Sequence, residues 1–167
     1  MSAGTPSTPS TPSTPSAHSA HRTPETLAAR DAITAAGQAH ADAEARGDLE
    51  ATMSTLVENP LYELLPIGLA LEGRDVVRRY YAHFFAYVMP RVVGYTLRSE
   101  WTTTEGLGQE YRMRFDAGDG PRSYDIIGIL KVGATGLITG ERLYAADELL
   151  RIFFAPVLAE AFALPGT

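Results

Sequence analysis

VVGYTLRSEWTTTEGLGQEYRMRFDAGDGPRSYDIIGILKVGATGLITGERLYA, residues 92–145, decides the fold. Three turn signals divide it: Thr104-Glu105-Gly106, Gly118-Asp119-Gly120-Pro121 and Gly133-Ala134-Thr135-Gly136. They leave four predicted strands, at about 92–103, 107–116, 122–132 and 137–145. Connections this short make neighbouring strands antiparallel, so the stretch is a meander. Residues two apart share a face. Tyr111, Met113 and Phe115 therefore lie opposite Glu110, Arg112 and Arg114, and the aromatic face looks inward. Tyr124 shares a face with Ile126 and Gly128, while Ile127 and Ile129 form the other.

Upstream, Gly73 opens a predicted helix. Its apolar residues Val76, Val77, Tyr80, Tyr81, Phe84, Phe85 and Val88 fall at helical spacing, and Pro90 ends it. Before it, residues 62–71 read as a strand kinked at Pro66 and Gly68, after a break at Asn59-Pro60. Asp48 caps a short helix at about 49–56. A longer helix begins at Thr23-Pro24-Glu25 and stops at Gly47. Downstream, Asp147 caps a last helix through Leu149, Leu150, Phe153 and Phe154. The expected fold class is α+β: a curved antiparallel sheet wrapped around helices, enclosing a cone-shaped pocket.

Residues 1–24 are of another kind. Thr-Pro-Ser repeats four times from Thr5 to Ser16, with almost nothing apolar. Such a segment cannot offset its ordering entropy, so it reads as a disordered tail before a single domain at 25–167. The net charge of −6 argues against a nucleic-acid surface. With no cysteine, thiol nucleophiles and thiolate metal sites are excluded. No apolar run approaches a membrane span or a signal peptide, and a cytoplasmic protein is the expectation.

Several short stretches carry a resemblance: Gly47-Asp48-Leu49-Glu50-Ala51, Glu58-Asn59-Pro60-Leu61-Tyr62-Glu63, Glu72-Gly73-Arg74-Asp75 with Tyr80-Tyr81, Gly136-Leu137-Ile138, and Arg142-Leu143-Tyr144. In this order and spacing they resemble the ketosteroid isomerase and SnoaL-like polyketide cyclase superfamily, over residues 26–147. The superfamily hosts isomerases, cyclases, dehydratases, epoxide hydrolases and non-catalytic binders, so the resemblance speaks to fold more than to reaction. It implies that the isomerase's two aspartates fall on Leu64 and Gly128, its helix tyrosine on His40, and a supporting tyrosine on Tyr81. Both acids are thus missing, which argues against ordinary steroid isomerisation. It also turns Glu141 and Leu143 inward.

Glu141, so placed, is a candidate general base with a raised pKa. The alternative turns it outward, paired with an arginine such as Arg112. His40 lies on the apolar side of its helix with Ile33, Ala36 and Ala43, as a proton shuttle or a structural histidine. Tyr62 is placed with these two as a catalytic residue that polarises a substrate oxygen. Leu64, Tyr81, Trp101, Tyr111, Met113, Phe115, Tyr124 and Ile126 are expected substrate-binding residues. Trp101 walls the pocket or covers the sheet edge, depending on a bulge in its strand. The epoxide-hydrolase pattern of an arginine between aspartates is met only by Arg112, Asp116 and Asp125, with Arg112 pointing away. No metal site and no cofactor are expected. The reading is a cofactor-independent cyclase or isomerase acting on an apolar polyketide- or terpenoid-type intermediate. The alternative is a non-catalytic small-molecule or partner binder. The isoleucines on the outer sheet face call for a cover, and the resemblance implies that it is the second subunit of a homodimer meeting sheet to sheet.

Overall fold

A computed structural model describes residues 24–165, so the Thr-Pro-Ser tail and the Thr23 cap lie outside the described residues. Along the chain run α1 (Pro24–Ala45), α2 (Leu49–Ser54), β1 (Leu56–Leu64), β2 (Leu69–Glu72) and α3 (Arg74–His83). The meander follows as β3 (Val92–Thr102), β4 (Gly106–Asp116), β5 (Pro121–Val132) and β6 (Ile138–Tyr144). α4 (Asp147–Phe153) and a short β7 (Phe162–Ala163) end the domain. The seven strands form one sheet in the order β3-β4-β5-β6-β1-β2-β7. The four meander strands pair antiparallel as expected. The sheet as a whole is mixed, because β1 runs parallel to β6. Helices fill its concave side, giving the α+β cone.

Asn59-Pro60 does not break the chain. Both residues lie inside β1, where the pairing with β6 shifts register between Leu56 and Leu61. A proline there removes no ladder bond that the strand needs. Instead the Pro60 carbonyl accepts from Gly73 N at 3.0 Å. Gly140 on β6 serves the same irregularity. Its φ is +155°, and a Cβ there would fall 1.9 Å from the Leu61 carbonyl oxygen. The expected strand at 62–71 is in fact the end of β1, a 3₁₀ turn at Leu65–Ile67 and β2 returning beside β1. The helix expected to run to Pro90 loosens after His83 into a π-helical turn at Phe84–Val88.

Two contacts set α1 against the sheet. Gly37 lets the helix approach β4, since a Cβ there would meet Leu107 Cδ2 at 2.4 Å. Arg30 Nη2 donates to the Thr102 carbonyl at 2.5 Å. Below, Asp48 caps α2 by accepting from Ala51 N at 3.0 Å. The Arg74 guanidinium joins α3 to the α2–β1 junction through the carbonyls of Met53, Leu56 and Val57.

The outer face of the sheet carries charge pairs. Arg112 grips Asp125 with two bonds of 2.7 Å, and Arg98 reaches Asp125 at 3.3 Å. Glu63, nearly buried, takes Arg142 at 2.7 Å and Lys131 at 2.9 Å. The hydrogen bond from Arg142 is the main reason its carboxyl lies below the usual range. Arg112 is thus engaged outside, and the outward alternative for Glu141 is excluded.

Trp101 is corrected to this outer face. The β3–β4 register shifts between Leu97 and Ser99, which flips the residues that follow. Trp101 then pairs with Gly108 and lays its indole where a Cβ on Gly108 would sit, 2.2 Å from Cε2. It covers the convex side beside Ile129, the β5 partner of Gly108.

Candidate active site

Between α1 and the concave face of β3–β6 lies a cavity of about 560 Å³. That is the size of a site for a small organic molecule. Leu107, Gln109, Tyr111 and Met113 line it from β4, alternating along the strand as expected. Tyr95 and Leu97 on β3, both about half exposed, stand at its mouth, and Phe84 and Met89 close one end. The π-helical turn carries Phe84 into this position.

Glu141 enters from β6. Its neighbour on β5 is what makes room for it: a Cβ on Gly128 would lie only 2.8 Å from Glu141 Oε1. The carboxyl occupies the volume that any side chain at 128 would fill. It has no hydrogen bond or ion pair with another described residue. Burial, and then the negative charge of Glu44, push its pKa well above the usual carboxylate range. Tyr111 stands near it, and its phenol is likewise pushed well up, by burial first and then by Glu141.

Glu44, on the last turn of α1, faces the same cavity from the opposite wall. Burial acts to raise it, but the charge of His40 and hydrogen bonds from His40 and Tyr81 outweigh that and hold its pKa below the usual range. The sequence reading missed Glu44. The available signal was the spacing His40–Glu44, one helical turn, which stacks the two side chains on one face.

His40 stands behind the cavity wall, almost fully buried. Its Nδ1 lies 2.6 Å from Thr55 Oγ1, and Thr55 donates its own proton to the Thr52 carbonyl at 2.7 Å. The Thr55 oxygen therefore accepts from Nδ1–H. That leaves Nε2 facing the Tyr81 hydroxyl at 2.9 Å and Glu44 Oε1 at 3.5 Å. Tyr81 continues the chain to the Tyr62 hydroxyl at 2.8 Å. Both phenols are fully buried, and burial is the main cause of their raised pKa values.

The structure thus brings Glu141, Tyr111 and Met113 to the cavity wall. His40, Tyr62 and Tyr81 form a hydrogen-bonded layer behind Glu44. Leu64, Phe115 and Ile126 are core residues off the cavity wall, and Tyr124 donates to Glu148 at 2.8 Å near the start of α4. These four face the concave side as alternation requires, but the cavity occupies only the end of the cone towards α1 and β3. No helix among the described residues is long and apolar enough to cross a membrane.

The chain matches no family model and no curated protein. Solved structures do match. A steroid delta-isomerase from Pseudomonas aeruginosa superposes with a TM-score of 0.59 at 14% identity, over 77% of this chain and 93% of that one. An NTF2-like protein of unknown function from Burkholderia xenovorans gives 0.56 at 20% identity, over 70% and 84%. A bacterial protein with a cystatin-like fold from Silicibacter pomeroyi gives 0.56 at 13% identity, over 75% and 84%. The protein therefore has the NTF2-like, cystatin-like α+β cone fold.

Proposed function

We propose that this protein is an acid–base isomerase or cyclase that moves a proton on an apolar small molecule. The observation that carries the reading is a pair of carboxyls facing one cavity in unlike settings, Glu44 backed by His40 at 3.5 Å and Glu141 over Gly128 without a partner among the described residues, which push the first pKa down and the second up. Two titratable groups separated in this way divide the roles of base and acid. Glu44, ionised, takes a proton from carbon. Glu141, neutral, donates a hydrogen bond or a proton to the oxygen where negative charge develops, with the Tyr111 phenol as second donor. His40 and Tyr81 orient Glu44 from behind, and Tyr62 holds Tyr81. In this reading the acids missing at Leu64 and Gly128 are replaced by carboxyls entering from α1 and β6. The apolar walls suit an intermediate of polyketide or terpenoid type in small-molecule biosynthesis.

The test uses an apolar ketone with exchangeable α-protons, β-tetralone, in deuterated buffer. NMR should show deuterium entering the α-carbon faster with the protein than with buffer, and the acceleration should vanish in Glu44→Gln. Binding without accelerated exchange in the wild type would favour the non-catalytic binder.

A further inference from the structure

The walls of the cavity are one-sided in charge. Four carboxylic side chains face it: Glu44 and Glu141 inside, and the more exposed Asp42 and Glu100 towards the mouth. None of the described residues lining it is Lys, Arg or His. The two outer acids have amide partners, not cations. Gln38 Nε2 donates to Asp42 at 2.9 Å, and Gln109 Nε2 donates to Glu100 at 2.8 Å. An amide satisfies a lone pair but leaves the charge in place. Four basic side chains of the sheet are paired elsewhere: Arg98 and Arg112 with Asp125, and Lys131 and Arg142 with Glu63.

A second, independent feature points the same way. Tyr95 and Tyr111 line the cavity together with Glu100, their rings 5.0 Å apart and tilted at 45° to each other. Aromatic faces attract cations through their quadrupole, most strongly where water is excluded. Inside, the Glu141 carboxyl has no partner among the described residues and is aimed into the same space.

We propose that the natural ligand of this cavity is an apolar molecule bearing a positive charge, an amine in its ammonium form, and that carboxylate- and phosphate-bearing molecules are rejected. The inference rests on the reading of this cavity as the active site and adds the charge class of its substrate. A carboxylate or phosphate would meet Asp42, Glu100 and Glu44 with no basic side chain among the lining residues to receive it, and like charges juxtaposed in a partly dry site are strongly unfavourable. An ammonium group would settle against Glu100, Asp42 and the tyrosine faces, leaving the apolar body to reach Glu141.

The test compares three probes of one shape: 2-naphthylmethylamine, 2-naphthylmethanol and 2-naphthoate. Each is titrated calorimetrically into the full chain at neutral pH and low salt. The amine should bind at least tenfold more tightly than the alcohol, and the carboxylate should not bind measurably. The amine-to-alcohol affinity ratio should fall in both Glu100→Gln and Glu44→Gln. The first of these lies at the rim and keeps a hydrogen-bonding amide there. Equal affinity for amine and alcohol, or measurable binding of the carboxylate, would overturn the charge inference and leave the proton-transfer reading standing. Absence of binding by all three would overturn both.

Discussion

Replacing Glu141 by Gln should stabilise the protein while destroying its chemistry. The carboxyl sits over Gly128 without a hydrogen bond among the described residues, and burial raises its pKa. An acid whose pKa is raised by folding ionises more readily in the unfolded chain. Stability then declines as pH rises from the unfolded carboxylate value of ~4.3 to the folded value, at about 1.4 kcal/mol per pH unit. Glutamine, of the same shape and uncharged, removes this decline. Urea denaturation of both proteins at half-unit steps from pH 4 to 9 should give curves that coincide at the acid end and separate as pH rises. The variant should be the more stable, until the separation levels off at the folded pKa of Glu141. Turnover should fall by about 10²–10⁴ at every pH, the usual effect of losing a positioned acid. Parallel stability curves, or a variant less stable at neutral pH, would refute the account of a shielded, neutral carboxyl.

Glu44→Gln should behave oppositely. Its lowered pKa contributes stability that is present above the unfolded carboxylate value and lost as pH falls through the folded one, so the variant should be the less stable at neutral pH in the same denaturation series. Gly128→Ala should fold and yet lower turnover by up to about 10², because its Cβ displaces the Glu141 carboxyl; unchanged turnover would mean that the carboxyl's position does not matter. Tyr81→Phe leaves the buried Tyr62 hydroxyl and His40 Nε2 without their shared partner, which should cost about 1–3 kcal/mol in thermal or urea unfolding. The convex sheet face, with Trp101, Ile127 and Ile129, is proposed to meet a second copy; light scattering should give a dimer mass, reduced to monomer by Ile129→Arg.

What was legible in the sequence followed from period and punctuation. The turn glycines fixed the meander, and strict alternation placed Tyr111 and Met113 on the cavity side. Trp101 was not legible because one extra residue near Arg98 reverses the facing of all that follows in β3, and nothing in the local composition marks such a bulge. Asn59-Pro60 misled for a related reason. A proline ends a regular strand, but β1 is irregular just there and the missing N–H costs nothing. Glu44 was hidden by its helix. The buried stripe of α1 runs through Ile33, Gly37, His40 and Ala43, and Glu44 lies at its edge, where a charged residue reads as solvated. Only the concave sheet opposite turns that edge into a cavity wall. Leu64, Phe115 and Ile126 were legible as inward residues, but which part of the cone stays open depends on side chains filling it from α3 and α4.

The central claim is that two carboxyls of one cavity hold opposite protonation states. It is tested most directly by ¹³C NMR titration of the glutamate side-chain carboxyls, with Glu44 and Glu141 assigned through their Gln variants. The account predicts that the Glu44 resonance titrates below the ordinary glutamate range and that of Glu141 well above it, each shifting when the other is replaced. Two independent titrations near the ordinary value of ~4.3 would contradict it.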